Sequence, residues 1–155
     1  MYFKNKLSEL FAAEEVNIFV DMDGVIADYD FGNILNFKEK RPIKSNIATL
    51  NELSKESNIN LYILSICKLN SQIPEKNNWL DKYAPIFAQD KRYIISKEEY
   101  KDYSSKEIKL MILKEIKNKT NLPNMVLIDD DNGILKYLKD SDLNITLFQD
   151  SSIID

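Results

Sequence analysis

The chain of 155 residues carries a net charge of −4, with 44% hydrophobic and 30% charged residues, which is typical of a globular domain. It has no histidine and one cysteine, which excludes a Cys/His zinc cluster, a Ser-His-Asp triad and an internal disulfide. Any metal ligands must therefore be oxygen atoms, as in sites for Mg²⁺, Ca²⁺ or Mn²⁺. Because the charge balance is acidic, we do not expect a nucleic-acid polymer as a partner.

The first fifteen residues, MYFKNKLSELFAAEE, have the pattern of a short amphipathic helix rather than of a signal peptide. No apolar run is long enough to cross a membrane, so we expect no membrane partner. The scarcity of cysteine makes the cytoplasm the expected compartment. With no repeat or linker along the chain, we expect a single domain over residues 1–155.

Strand-like and helix-like segments alternate in the rest of the chain. Five apolar or β-branched segments are predicted to be strands: Val16–Val20, Ile59–Leu64, Arg92–Ile95, Met125–Ile128 and Leu143–Phe148. Four amphipathic patterns predict helices between them: Asn46–Glu56 with Ser45 as N-cap, a helix with Pro74 near its start, a helix with a capping box of Ser104 and Glu107, and NGILKYLKD with Asp131 as its cap. This alternation predicts an α/β fold, a three-layer α/β/α sandwich around a Rossmann-like parallel five-stranded sheet.

Polar residues stand at three of the predicted strand ends. Asp21 and Asp23, followed by Gly24, come after the first strand, Ser65 ends the second, and Asp129 begins a run of three aspartates after the fourth. In parallel sheets, ligands bind beyond the carboxyl ends of the strands. We therefore expect these residues to meet at one edge of the sheet.

Clustered carboxylates without histidine are typical of a site for a hard cation such as Mg²⁺, whose remaining ligands are often phosphate oxygens. In such a site Asp21 would attack phosphorus, and Asp23 would act first as general acid and then as general base. Gly24 would let the chain turn sharply beside the ligand. Asp129 would hold the metal, with Asp130 behind it or sharing that role.

Together these motifs resemble those of the haloacid dehalogenase superfamily of phosphatases. The stretches that carry the resemblance are VDMDGVIAD, the hydroxyl that ends LYILS, and VLIDDD. The first of them, with EKNNWLDKYAPIF and RYIIS, resembles the 5′(3′)-deoxyribonucleotidases in particular. The resemblance spans residues 17–132. It implies a Mg²⁺-dependent phosphomonoester hydrolase that acts through an aspartyl-phosphate on small phosphorylated substrates such as nucleoside monophosphates.

By this resemblance, Asp21 and Asp23 form the catalytic pair and Ser65 supplies the phosphate-binding hydroxyl. The metal ligands would be Asp21, Asp129 and the backbone carbonyl of Asp23. A lysine should neutralise the phosphoryl group, and two candidates stand near the right places. Lys106 lies at the start of a predicted helix and Lys97 follows YIIS, and we favour Lys106.

The chain departs from that family where a helical cap would follow the first motif. The stretch Tyr29–Lys44 leaves room for little more than a loop with one short helix, so we expect a minimal cap and an open site. An open site favours a larger substrate or closure by a partner subunit. Tyr29, Phe31 and Phe37 would either stack on a base or pack locally, and we favour packing.

Two other classes of function remain open at this point. The first is a phosphate-binding or regulatory protein with the same fold but no turnover, which would not need an acid/base residue such as Asp23. The second is a phosphotransferase that moves the phosphoryl group to an acceptor other than water. A receiver domain is less consistent with the sequence, because IISKEE places no aspartate at the end of the third strand.

Overall fold

A computed structural model of the chain describes residues 2–29 and 36–154. Its centre is a parallel sheet in the order β3-β2-β1-β4-β5. The strands are β1 (Val16–Val20), β2 (Ile59–Cys67), β3 (Arg92–Ser96), β4 (Met125–Asp129) and β5 (Thr146–Gln149). The helices are α1 (Tyr2–Phe11), α2 (Lys44–Leu53), α3 (Gln72–Tyr83), α4 (Ser105–Thr120) and α5 (Asn132–Lys139).

The helices cover both faces of the sheet, because neighbouring residues of the central strand point to opposite sides. Ile18 packs into one apolar cluster with residues of α1, α2 and α3, such as Leu50 and Leu80. Phe19 packs into a second cluster with residues of α4 and α5, such as Leu113. Continuous apolar strands covered on both faces are typical of parallel sheets. The predicted three-layer α/β/α sandwich is therefore confirmed.

Local signals explain most of the helix boundaries. The Ser104–Glu107 capping box forms as predicted at the start of α4. Asp131 caps α5, since its side chain accepts hydrogen bonds from the backbone N–H of Gly133 (2.8 Å) and of Ile134 (3.3 Å). The predicted N-cap Ser45 is wrong. Helix α2 begins at Lys44 with Ile43 as its N-cap residue, which leaves Ser45 inside the first turn.

The sheet order decides where ligands can reach the fold. Strand β1 lies between β2 and β4, and the chain changes its direction of winding at the boundary between β1 and β4. Such a switch point opens a crevice beyond the carboxyl ends of the strands.

Among residues 2–29 and 36–154, no helix is long and apolar enough to cross a lipid bilayer. The expectation of a single domain stays a prediction.

Candidate functional site

Three carboxylates meet at the carboxyl ends of β1 and β4. Asp21 follows β1 and joins it to β4 through its backbone N–H, which donates to the carbonyl of Ile128 (3.0 Å). Asp129 ends β4 and is fully buried, and Asp130 follows it. One oxygen from each of Asp21, Asp129 and Asp130 lies within 4.8 Å of the others. The predicted meeting of these two strand ends is thus present in the structure.

A buried lysine from α4 enters this carboxylate cluster. Nζ of Lys109 lies 2.6 Å from Oδ2 of Asp129 and 3.2 Å from Oδ1 of Asp21. Burial disfavours the charged form of Lys109, but the two carboxylates outweigh this effect and raise its pKa. The other oxygen of Asp129, Oδ1, accepts a hydrogen bond from the backbone N–H of Asp131 (3.0 Å). Lys109 therefore fixes the two deepest carboxylates of the cluster.

Negative charge still exceeds positive charge in the cluster. Burial raises the pKa of Asp21 to about 8, since the opposing effect of Lys109 is too small to offset it and the charges of Asp129 and Asp23 add to it. Burial and the charge of Asp129 raise the pKa of Asp130 to about 6. These carboxylates lie close together and have raised pKa values. Such a group fits a divalent cation that prefers oxygen ligands, such as Mg²⁺. Among the described residues, the cluster takes Asp130 as its third carboxylate and does not include the side chain of Asp23.

Asp23 belongs instead to a second group of charges beside the cluster. Its Oδ2 lies 3.1 Å from Nζ of Lys76, and its Oδ1 forms an ion pair with Lys40. Nζ of Lys76 also donates to Oγ of Ser65 (2.7 Å) and to the carbonyl of Ile66 (3.1 Å). Burial raises the pKa of Asp23, but Lys76 and Lys40 outweigh it and hold the pKa below its usual value. Asp23 is therefore ionised, which suits a general base better than a general acid.

Gly24 is needed because of a close approach between two loops. Its φ is +79°, and a Cβ added there would lie 2.0 Å from Oδ2 of Asp130. The turn that contains Gly24 is held by the carbonyl of Met22, which accepts from the backbone N–H groups of Ile26 (3.0 Å) and Ala27 (2.9 Å). Glycine alone tolerates both this backbone conformation and this contact. The sequence suggested a sharp turn here, but not the partner that crowds it.

The predicted phosphate-binding lysine, Lys106, does not reach the carboxylates. Its side chain is exposed, and its Nζ lies 5.2 Å from the ring centroid of Tyr137. The lysine that does enter the cluster, Lys109, lies one helical turn further on and points inward from the same helix. The alternative candidate, Lys97, lines a neighbouring pocket.

Sequence reasoning also missed Lys76, and one signal could have found both buried lysines. Lys109 is followed by apolar residues at the third, fourth and seventh positions, Ile112, Leu113 and Ile116. Lys76 is followed in the same way by Trp79, Leu80 and Tyr83. A lysine on the apolar stripe of a helix must point inward. Because a buried ammonium needs a partner, such a lysine indicates a carboxylate at the same depth.

Two adjoining pockets open at this edge of the sheet. The acidic pocket has a volume of about 380 Å³ and is lined by Asp21, Asp23, Lys109, Asp129 and Asp130, among others. The lysine pocket has a volume of about 300 Å³, and its charged lining residues are Asp23, Lys40, Lys68, Lys76 and Lys97. The two pockets share the lining residues Asp23, Tyr29, Ile66 and Ser105, so they form one continuous concave surface.

The aromatic residues near these pockets have separate roles. Phe37 is buried and packs edge-on against Trp79, with ring centroids 5.8 Å apart, as the packing alternative predicts. Tyr29 is 51% exposed and lines both pockets. Phe31 lies outside the described residues. The expectation about a minimal cap concerns residues 29–44, of which 30–35 also lie outside the described part of the chain.

Two solved structures share this fold. A chain in the structure of the Pnkp1/Rnl/Hen1 complex matches with a TM-score of 0.63 and 18% identity, over 88% of this chain and 46% of that chain. A chain in the structure of the Pnkp1/Rnl/Hen1 RNA repair complex matches with a TM-score of 0.61 and 19% identity, over 88% of this chain and 42% of that chain. This chain thus spans less than half the length of the chains that it matches. No protein-family model and no curated protein sequence matches it.

These findings overturn the identification of the chain as a haloacid dehalogenase nucleotidase. No family model supports that identification, and the matching structures belong to an RNA repair complex. The predicted function as a Mg²⁺-dependent phosphatase of small molecules such as nucleoside monophosphates is wrong for the same reason. The motifs led to a wrong family and substrate because each of them is short. Each specifies a carboxylate or hydroxyl at a strand end, which describes the chemistry of a site and not its substrate.

The exclusion of nucleic acid as a partner is corrected as well, since the neighbours are components of an RNA repair complex. That exclusion relied on the net charge of −4, which averages over the whole chain. The structure separates the charges, with carboxylates concentrated in the acidic pocket and four lysines in the adjoining one. Net charge therefore says little about what the lysine pocket can bind.

Proposed function

We propose that this protein is an enzyme that removes a terminal phosphate group from RNA, with Mg²⁺ as its cofactor. The observation that carries the proposal is the cluster of Asp21, Asp129 and Asp130 around Lys109 at the carboxyl ends of β1 and β4. A phosphate monoester carries close to two negative charges near neutral pH and would be repelled by these carboxylates alone. The site therefore requires a cation before it can accept a phosphate.

The residues of the chain divide the chemistry between them. Asp21, Asp129 and Asp130 would hold Mg²⁺, which supplies positive charge to the phosphate oxygens when it is bound. Lys109 keeps Asp21 and Asp129 in place. Asp21 is our candidate for the nucleophile, since a bound Mg²⁺ would favour its ionised form against the raised pKa that burial gives it. The ionised Asp23, beside it at the wall shared by the two pockets, is placed to move a proton.

Ser65 and Lys76 form a hydrogen-bonded pair beside Asp23 that could neutralise the charge of the phosphoryl group. Ser65 is fully buried, and its hydroxyl accepts a hydrogen bond from Nζ of Lys76 (2.7 Å). The positive charge of Lys76, fixed in place by its hydrogen bonds, can stabilise negative charge nearby without any rearrangement during the reaction. We propose that this pair, instead of Lys106, stabilises the charge that develops on the phosphoryl group or on the departing oxygen.

The choice of RNA as substrate is supported by two independent features. One structural neighbour belongs to an RNA repair complex, and that chain and ours share the fold over 88% of our chain. The acidic pocket also continues into a lysine pocket, which could accept further phosphates of a polynucleotide. The cytoplasmic location remains part of this proposal, on the basis of the single cysteine.

The proposal is tested by release of inorganic phosphate from RNA oligomers that carry a 5′- or a 3′-terminal phosphate, with and without Mg²⁺. We expect release that depends on Mg²⁺ and that falls at least about 10²-fold in Asp21→Asn. Asp142→Asn is the matched control, because it makes the same change at a carboxylate that is 85% exposed and lines neither pocket. Absence of release from both oligomers, or full activity of Asp21→Asn, would refute the proposal.

A further inference from the structure

The lysine pocket is distinct in charge from the acidic pocket next to it. Among the described residues that line it, four are lysines (Lys40, Lys68, Lys76 and Lys97) and one, Asp23, is a carboxylate. Asp23 pairs with both Lys40 and Lys76, so this group of three keeps a net positive charge. A pocket with such an excess of ammonium groups attracts an anion.

Two of these lysines are held deep in the wall of the pocket. Lys40 is 7% exposed and Lys76 is 2% exposed. The backbone carbonyl of Lys40 accepts a hydrogen bond from Nε1 of Trp79 (2.8 Å), which ties the loop to α3. Nζ of Lys76 is held by Ser65 and Ile66 as well as by Asp23. Contacts within the protein therefore fix the positions of these two ammonium groups.

The other two lysines extend from fixed backbone segments at the rim. Oε1 of Gln72 accepts hydrogen bonds from the backbone N–H of Lys68 (3.0 Å) and of Leu69 (3.0 Å). Lys97 begins a short 3₁₀-helix that Ser96 caps through a bond from the backbone N–H of Glu98 (3.1 Å). An anion that enters the pocket would thus meet two buried lysines at the wall and two lysines with freer side chains at the rim.

We infer that the lysine pocket binds the phosphodiester next to the terminal phosphate of the substrate. This inference rests on the proposed function, in which the acidic pocket holds the terminal phosphate. The two pockets share Asp23, Tyr29, Ile66 and Ser105, so neighbouring phosphates of one strand could occupy them together. A mononucleotide has no second phosphate to place there. The pocket therefore selects the end of a polynucleotide over a free nucleotide.

The test compares substrates that differ in one charge. The first is an RNA oligomer with a terminal phosphate, and the second is the same oligomer with an uncharged methylphosphonate at the adjacent linkage. We expect the wild-type KM to rise about tenfold for the methylphosphonate. Lys68→Ala/Lys97→Ala should raise KM about as much for the normal oligomer. The double variant should change KM for the methylphosphonate oligomer little, because that oligomer lacks the charge with which the two lysines interact. Salt dependence of KM for the normal oligomer should also weaken in this variant, by at most about 0.7 of log–log slope, because one phosphate of a single strand is no longer neutralised.

Lys136→Ala/Lys139→Ala is the control of equal charge change, since both lysines are exposed on α5 and line neither pocket, and it should behave as the wild type does. Equal KM values for the two oligomers with the wild-type protein would overturn the inference. So would a loss in the double variant that is as large for the methylphosphonate as for the normal oligomer.

A binding measurement separates this inference from the proposed function. Fluorescence anisotropy of the same two oligomers, labelled at the end without the phosphate, reports affinity in the absence of turnover. About tenfold weaker binding of the methylphosphonate would support the lysine pocket even if no phosphate were ever released. Phosphate release without any difference in affinity or KM between the oligomers would support the proposed function and refute the lysine pocket.

Discussion

Nζ of Lys109 lies 2.6 Å from Oδ2 of Asp129, and both side chains are enclosed, with exposed fractions of 3% and 0%. Removing one partner of a buried ion pair leaves the other charge unpaired, which typically costs about 3–5 kcal/mol. We therefore expect Lys109→Ala to lower the free energy of unfolding by about that amount. Urea denaturation measures the change without screening the ion pair by salt.

Lys106→Ala is the matched control for Lys109, because it removes the same side chain from the same helix. Lys106 is exposed and its Nζ lies over the ring of Tyr137, so its substitution should change the free energy of unfolding by less than about 1 kcal/mol. A larger effect of Lys106→Ala than of Lys109→Ala would contradict the assignment of Lys109 to the cluster.

Gly24 leads to a second prediction. Ala at this position would be strained at φ +79° and would place its Cβ 2.0 Å from Oδ2 of Asp130. A strained backbone position of this kind costs about 1–3 kcal/mol, and displacement of Asp130 should also weaken Mg²⁺ binding. We expect Gly24→Ala to lower the melting temperature and to reduce the further rise in melting temperature that the proposed Mg²⁺ site predicts for the wild type on addition of Mg²⁺.

Gly133→Ala serves as the comparison for Gly24. A Cβ at Gly133 would lie 3.1 Å from Oδ1 of Asp131, in the first turn of α5, where alanine favours the helix. This substitution should change stability by less than about 1 kcal/mol. If removing the crowding carboxylate in Gly24→Ala/Asp130→Ala recovered none of the lost stability, the contact with Asp130 would not be the cause.

Much of the fold follows from short stretches of sequence, and the site follows from them in part. The run Val16–Val20 is apolar at nearly every position, so it could be assigned to a strand covered on both faces, and the structure gives it the same bounds. Once β1 and β4 are adjacent, Asp21 and Asp129 meet because Asp21 directly follows β1 and Asp129 ends β4. Local pattern was sufficient for these residues.

Contacts between distant segments could not be predicted in the same way. Lys40 is buried because α3 packs against its loop and Trp79 binds its carbonyl, which no local pattern indicates. The crowding of Gly24 by Asp130 requires the turn after β1 and the turn after β4 to be placed side by side. The substrate class could not be predicted for a related reason. The acidic and basic residues that line the two pockets are far apart in the sequence, and only folding sorts them into an acidic pocket and a lysine pocket.

Cys67 provides a prediction about pH. Burial raises the pKa of its thiol, and the charge of Lys76 opposes this effect without cancelling it. Because the thiolate is the reactive form, alkylation by iodoacetamide should be at least about tenfold slower than that of glutathione at pH 8 and should still be rising above pH 9. Mass spectrometry of the labelled protein measures the rate, with the urea-unfolded protein as control. A rate that levels off below pH 8.5 would contradict the raised pKa.

Asp23 is predicted to stabilise the fold through the two lysines that it holds. Asp23→Asn would leave Lys40 and Lys76 without their shared carboxylate, while their side chains are only 5% and 3% exposed. Asp23 itself is 27% exposed, so we expect a loss of about 2 kcal/mol, below the range for fully buried pairs. The comparison is Asp28→Asn, whose partner Arg41 lies 3.4 Å away with both side chains exposed, and this should cost less than about 1 kcal/mol.

The same pair of variants tests the pKa of Asp23. Because the folded protein holds this pKa below its ordinary value of 3.8, the stabilisation is fully present above that pH and disappears only as pH falls through the lower, folded value. Urea denaturation of the wild type and of Asp23→Asn should therefore give a constant difference from pH 7 down to about pH 4 and a shrinking one below it. A difference that fades between pH 7 and pH 5 would mean that Asp23 has a raised pKa, and that it is placed to act as an acid instead of a base.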